Sequence, residues 1–564
     1  MLRKLSLVAL LGLAAAREAA AQERVDLLLR NAKVFTADPL MSIQHAVAIR
    51  DGRIIAVGGN EIAARYRADS VLDLGGRLVT PGLIDTHIHM RGEGKRYVEL
   101  ADFKTIGEIQ DALRAKAKEL GPGEWITGYG WAEGLVREKR SPLRADLDAA
   151  TPNNPVVLSR AGGHSVTTNS AALKLAGITK ATPEPEGGVI ERDANGEPNG
   201  IIRERSDLVT RLVPRPSADE VRPSFVANLK RLLSLGITSI IDAGVVPRAY
   251  AEWEAVYREN PGQLPRATLQ FYPGLEKGGA TADQALKALK DFGRKTGDGN
   301  EWIRVGAVKL WLDGGFAGPA AWTLKPYRNQ PKYFGIQNIE EADLYRVAKA
   351  AHDAGWQLGW HTIGDAAIEL GVKVLRRIQA ENPRDNARHY LTHFTVMPED
   401  SVMRAMAEAN ILIAQQPNFT WAPTLESRYV DNLEGERLNH NNSVRTPMNH
   451  GIFMAFGSDN HPIGPMPGLY GSTTRKGISG RVYSDAERIS MAEALIAYTR
   501  NGAYFTFEEK IKGTIEPGKL ADLVVFDKDL LEIEPAEILD TKVDLTILGG
   551  RIVYRRAGAQ NATH

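Results

Sequence analysis

The chain has 564 residues, 43% hydrophobic and 25% charged, a soluble composition too long for one simple core, so two or three structural units are expected. Lys and Arg number 70 against 69 Asp and Glu, and the formal charge of +1 gives no global field to draw nucleic acid or an anionic membrane. There is no cysteine, so disulfides are excluded and any metal site must use nitrogen and oxygen ligands.

The N-terminus reads as a processing segment. Arg3 and Lys4 are positive, residues 5–16 are apolar, and Ala19-Ala20-Ala21 offers a small-x-small cleavage site before Gln22. Residues 1–21 match a secretory signal peptide and are too short for a stable membrane span. Export to the periplasm or beyond is expected, with no membrane contact after cleavage.

Short apolar or alternating runs fill residues 24–80, and Asp51-Gly52 is a hairpin signal between two of them. Residues 521–526, 544–548 and 549–554 have the same texture. Neither end has enough strands to bury a core alone. The two ends, 22–80 and 511–558, are therefore expected to pair into one β-domain, with residues 81–510 inserted between them.

The middle alternates strand-like and helix-like segments, the pattern of parallel βα units. Strands are expected at 82–87, 237–242, 267–272, 304–312, 357–361, 389–393, 411–415 and 452–458. Helical patterns fall between most of them, as at 223–235, 282–293, 340–354 and 398–409. Eight such units close into a barrel whose active site lies at the strand C-terminal ends. Residues from about 90 to 235 carry their own strand runs at 125–130 and 155–159 and read as an inserted subdomain over the barrel mouth.

Polar residues fall at those strand ends. The first strand leads into His87-Ile88-His89, and residues i and i+2 share a face of a strand. The fourth carries Lys309 inside an apolar run, the fifth ends in His361, the sixth in His393, and the eighth runs into Ser458-Asp459. Neutral imidazoles bind Zn²⁺ or a similar divalent ion. Burial lowers a lysine pKa, and the neutral amine can add CO₂ to give a carbamate able to bridge two ions. A carboxylate beside a metal-bound water can accept its proton. His87, His89, Lys309, His361, His393 and Asp459 thus suffice for a hydrolytic centre of one or two divalent ions, Zn²⁺ being the ion expected.

The chain resembles the amidohydrolase superfamily, in its family 3 branch of YtcJ-like metal-dependent hydrolases. The matching stretches are Val79–His89, Gly163-His164-Ser165 with Asn169–Leu173, Val308–Gly314, His361–Ala367, Gly457-Ser458-Asp459 and Lys512–Val525. The resemblance implies an α/β fold: a distorted (β/α)₈ TIM barrel with a composite β-sandwich and an inserted subdomain. It implies that His87 and His89 hold a first ion, His361 and His393 a second, and that Lys309, carboxylated on Nζ, bridges them. Asp459 would be both ligand and general base, and His164 would bind or polarise the substrate carbonyl.

Two positions depart from the family pattern. Thr392 stands where a Glu commonly precedes the strand-six histidine, and strand alternation is expected to point it away from the metal side. Asn460-His461-Pro462 follows Asp459, leaving His461 as either a supporting group or a loop residue.

Aromatic residues crowd the strand ends and loops, among them Trp131, Trp311, Trp360 and Phe419, which are taken with His164 as substrate contacts for an apolar or aromatic arm. Arg203 and Arg445 are candidates to meet a substrate carboxylate. The expected activity is hydrolysis of a non-peptide C–N bond in a small N-acyl or N-formyl compound by metal-activated hydroxide. A cyclic amide, carbamate or lactone hydrolase, a deaminase, and a non-catalytic binding barrel stay open as alternatives, and a homo-oligomer is expected by analogy alone.

Overall fold

Eight strands form one sheet in which every pairing is parallel, and they follow one another around the sheet in chain order. They are β1 (Leu83–Ile88), β2 (Ile237–Val245), β3 (Arg266–Phe271), β4 (Ile303–Trp311), β5 (Leu358–Thr362), β6 (Tyr390–His393), β7 (Leu412–Gln415) and β8 (Met454–Phe456). Each lies within a few residues of its expected place. The computed structural model describes residues 22–316, 318–422 and 425–558. Residues 1–21, expected to be a signal peptide, lie outside them. Among the described residues no helix is long and apolar enough to cross a membrane.

Strand alternation sorts the barrel residues. On β4, Val308 and Leu310, with Leu312 just past its end, pack outward into the large core shared with the helices, while Ala307 belongs to the interior cluster with Ile241, Tyr390, Leu412 and Ala414. Lys309 and Trp311 therefore share the inward face with Ala307. On β5, Leu358 and Trp360 pack outward, so Gly359 and His361 point in. Gly359 is required by crowding: a Cβ there would stand 2.3 Å from the Tyr390 ring.

The seam between β8 and β1 is closed by a side chain. Asp85 Oδ1 accepts the backbone N–H of Ser458 at 3.0 Å and that of His87 at 3.1 Å, and Oδ2 accepts the Ser458 hydroxyl. Asp459 N–H then donates to His87 C=O at 2.8 Å. Gly457 permits the approach, since a Cβ would lie 2.5 Å from His87 N. One carboxylate thus fixes the strand bearing His87 beside the loop bearing Asp459. Asp85→Ala strands three buried donors and is expected to lower unfolding stability by about 3 kcal/mol. Urea unfolding checks this; a change within error would show that the seam does not depend on Asp85.

Both chain ends build a two-sheet sandwich. One sheet holds Arg53–Gly58, Ala46–Arg50, Glu23–Arg30 and Tyr66–Asp73 in that order. In the other, Leu78–Pro81 pairs with Lys33–Phe35 on one side and with Leu523–Phe526, from the far end of the chain, on the other. Leu27, Leu29, Val47 and Ile49 of the first sheet and Val79, Val525, Leu545 and Ile547 of the second share one core. Gly82 N–H donates to Asp522 C=O at 2.7 Å, so the sandwich delivers the chain directly into β1.

Between β1 and β2 lies a separate six-stranded sheet, ordered Val189–Arg192, Pro198–Arg203, Ser165–Thr168, Val156–Arg160, Ile126–Trp131, Tyr97–Glu99. Its turn from Arg160 to Ser165 carries Gly162, Gly163 and His164 to the cavity at the barrel mouth.

Candidate metal centre

The six expected ligands sit together at the C-terminal ends of β1, β4, β5, β6 and β8. His87, His393 and Asp459 offer ligand atoms within 4.8 Å of one another. His89 Nε2 lies 3.4 Å and His87 Nε2 3.6 Å from Asp459 Oδ1, and His393 Nδ1 lies 3.9 Å from Oδ2. The His361 ring meets the His393 ring at 4.4 Å between centroids, edge to face. The tightest trio therefore crosses the partition implied by the family resemblance, in which His393 belongs with His361.

The donor atoms fit a metal because nothing else uses them. His87 Nε2, His361 Nε2, His393 Nδ1 and Lys309 Nζ are all buried and without a hydrogen-bond partner. Buried polar atoms are seldom left so, and a cluster of four at one point is accounted for by ligation. Burial pushes His87 and His361 well below the ordinary imidazole range and His393 down to about 3, so all three are neutral at physiological pH. Burial also pushes Lys309 down to about 7. It opposes the charge on Asp459 too, but the hydrogen bond from His89 and the neighbouring His393 imidazole hold that carboxyl well below its usual range.

His393 reaches the cluster by a route that strand periodicity does not give. Tyr390 faces the interior and Leu391 the outer core, so strict alternation would put Thr392 inside and His393 outside. His393 has φ +79° and Phe394 +49°, which turns the histidine ring inward. The expectation that alternation points Thr392 away from the metal side is corrected accordingly. Asp459 and Asn460 are also left-handed, at +46° and +61°. Two of the six candidate ligands thus sit in backbone conformations costly for non-glycine residues, as strained functional sites do.

Three carboxylates at the site were given no role from the sequence, although Asp313 lies inside the matching stretch Val308–Gly314. Asp313, directly after β4, accepts N–H groups from Ile363, Gly364 and Trp322 at 3.0, 2.7 and 3.0 Å, and its Oδ1 lies 3.6 Å from His361 Nε2. Asp242, on β2, accepts the Met90 N–H at 2.6 Å and lines the cavity; burial pushes it up to about 6. Glu204 holds His164, with Oε2 3.0 Å from Nδ1. Burial works against an imidazolium at His164, but the Glu204 charge outweighs it and raises the pKa.

Above the cluster opens a cavity of about 710 Å³, whose lining includes His89, His164, Asp242, Trp311, His361 and Asp459. Trp311 forms one wall, its indole perpendicular to Tyr272 at 4.3 Å and close over Gly244. The other aromatic candidates are corrected. Trp131 is buried in the core of the insert, donating to Leu158 C=O at 3.2 Å, and Trp360 is buried in the outer barrel core. Phe419 lies behind the site, stacked on His393 at 5.7 Å. His461 also packs on Phe419, edge to face at 5.5 Å. Arg203 pairs with Glu191 at 3.3 Å and Arg445 with Glu493 at 2.8 Å, and neither lines the cavity.

The Amidohydrolase family matches residues 70–554. The chain is 29% identical over 537 residues to the putative amidohydrolase YtcJ of Bacillus subtilis (strain 168), covering 91% of this chain and 96% of that one. It is 28% identical over 558 residues to an N-substituted formamide deformylase of Arthrobacter pascens, covering 95% and 99%. Among solved structures, an uncharacterized metal-dependent hydrolase from Pyrococcus horikoshii OT3 superposes with a TM-score of 0.69 at 22% identity, over 90% of this chain and 99% of that one.

Proposed function

The chain belongs to the amidohydrolase family, and from that premise we propose that it hydrolyses the C–N bond of a small N-substituted formamide or related N-acyl amine. The observation that carries this reading is the set of buried, unpartnered nitrogens of His87, His361, His393 and Lys309 beside ionised Asp459 at the floor of an open cavity. The deformylase relative, similar over nearly the full length of both chains, supports the choice of substrate class.

Histidine and carboxylate donors without sulfur suit Zn²⁺. His87, His89 and Asp459 would hold one ion and His361 and His393 another, with Lys309 as a carbamate between them. Bound there, such an ion lowers the pKa of water and polarises a carbonyl. Asp459 takes the proton of the attacking water and returns it to the departing amine, a role for which a carboxylate ionised at neutral pH is suited. His164, reaching over from the insert, binds the substrate beside the scissile carbon. Trp311 and Tyr272 pack the apolar arm of the amine. The apolar leader at residues 5–16 supports export, so that the reaction takes place outside the cytoplasm.

The test is release of formate and amine in equal amounts from a panel of N-substituted formamides. Ammonia alone would favour a deaminase, and a single ring-opened product a cyclic amidase. A pH dependence follows from Lys309. Its pKa stands at about 7, below the ordinary lysine value, so the amine is protonated below pH 7 and neutral above it. Only the neutral form adds CO₂. Metal content in bicarbonate buffer is expected to rise from about one to about two ions per chain between pH 6 and 8; a flat titration would remove the carbamate from the account.

A further inference from the structure

The cavity holds a histidine–carboxylate pair that comes wholly from the insert. His164 Nδ1 stands 3.0 Å from Glu204 Oε2 and 3.2 Å from the Gly315 backbone nitrogen. The two neighbours ask for opposite states of that atom: the carboxylate for a protonated Nδ1, the Gly315 N–H for a bare one. Backbone ties them as well: Glu204 N–H donates to His164 C=O at 2.9 Å, and Ser165 pairs with Arg203 across antiparallel strands. Glu204 adopts φ +58°, a left-handed conformation disfavoured for a side chain of its kind, and this turns its carboxylate toward the ring.

The barrel accommodates the pair with two glycines directly after Asp313. A Cβ on Gly315 would stand 2.3 Å from His164 Cδ2, and one on Gly314 would stand 2.9 Å from the Glu204 carboxylate. Neither glycine has positive φ, so these positions need glycine for close approach and not for backbone freedom. The His164 ring in turn lies 5.5 Å from the His361 ring, centroid to centroid. The insert therefore seats its pair in a slot that is continuous with the ligand cluster.

We propose that Glu204 is a positioning residue: its carboxylate outcompetes the Gly315 N–H for Nδ1 of His164, keeps that nitrogen protonated, and leaves Nε2 to face the scissile group of the substrate. In this arrangement the Gly314–Gly315 slot is the docking point that makes the insert part of the active site. The substrate side of the inference rests on the amide-hydrolysis reading above; the pairing itself does not.

The experiment compares metal-loaded wild type with Glu204→Ala, Glu204→Gln, His164→Ala and the Glu204→Ala/His164→Ala double variant. Glu204→Ala is expected to lower kcat/KM about 10- to 100-fold, as the loss of an orienting partner does. Glu204→Gln, which keeps a hydrogen-bond acceptor, is expected to recover part of that loss. The double variant is expected to be no slower than His164→Ala alone, because Glu204 acts only through that ring. Additive losses would overturn the proposal. A second readout needs no substrate. In protein carrying ¹⁵N-histidine, the His164 signal should report a protonated Nδ1 that is lost in Glu204→Ala. An unchanged spectrum would overturn the pairing. Should metal-loaded wild type cleave no amide at all, the functional reading falls, and the ¹⁵N spectrum alone decides the role of Glu204.

Discussion

Asp459→Asn is expected to lower kcat by about a thousandfold or more, the scale of losing a positioned general base together with its charge. The asparagine keeps one oxygen of similar size, and the candidate histidine ligands on β1, β5 and β6 are untouched. Metal content should therefore fall by less than half. The Asp459 backbone is also held independently, through its N–H on His87 C=O and through Asp85 on Ser458, so the fold should survive the change. Elemental analysis beside steady-state kinetics separates the two effects. Near-normal turnover with full metal would remove Asp459 from proton transfer. A full loss of metal would make it a ligand first.

The second large effect is expected at Lys309, where function and stability should move in opposite directions. Nζ is fully buried with no hydrogen-bond partner; the Trp311 ring lies 5.1 Å away, and the charges of Asp459 and Asp242 offset only part of the burial. Burial lowers its pKa from 10.5 to about 7. The sign follows from linkage. A cation whose pKa is lower in the folded state destabilises the fold fully below that folded pKa, and the penalty fades as pH rises toward the unfolded value. In the metal-free protein at pH 7 a shift of this size amounts to roughly 4 kcal/mol. Lys309→Met fills the space without the amine. The metal-free variant is expected to be more stable than wild type by an amount of that order at pH 7, and by less at pH 9. It should also lose most turnover and about one ion per chain. Urea unfolding at the two pH values, with metal analysis, reads all three. A variant less stable than wild type at pH 7 would show that Lys309 has a structural partner, and a fully active one would remove it from the metal centre.

Much of the candidate site was legible because its candidate ligands end strands. A histidine at the close of an apolar run, followed by a turn, has few places to go in a βα barrel, and His87, His361 and Asp459 lie where that logic puts them. The logic fails where backbone departs from regular strand. His393 reaches the cluster through a left-handed φ that no pattern announces, and the inference drawn for Thr392 from simple alternation fails with it. Aromatic residues in strands were the other weak point. Trp131, Trp311 and Trp360 look alike in sequence, but only register decides which face each takes, and only Trp311 meets the cavity. The carboxylates Asp242 and Glu204 were missed because a lone acid in or just after a strand is unremarkable, and Asp313 was given no role although it lies inside the stretch Val308–Gly314. Their roles come from distant partners: Met90 for Asp242, Ile363 and Gly364 for Asp313, and His164 for Glu204. Glycines gave a usable signal in hindsight. Gly314-Gly315 comes just past the strand that bears Lys309 and marks a place where another backbone or side chain must come close.

The most direct measurement is formate and amine release from N-substituted formamides by zinc-loaded protein, repeated after chelation and again after zinc is restored. The account predicts equal amounts of the two products, lost on chelation and recovered with metal, with aryl- or alkyl-substituted amines preferred over unsubstituted formamide. Protein carrying a full complement of metal that releases neither product from any N-formyl or N-acyl amine would contradict it.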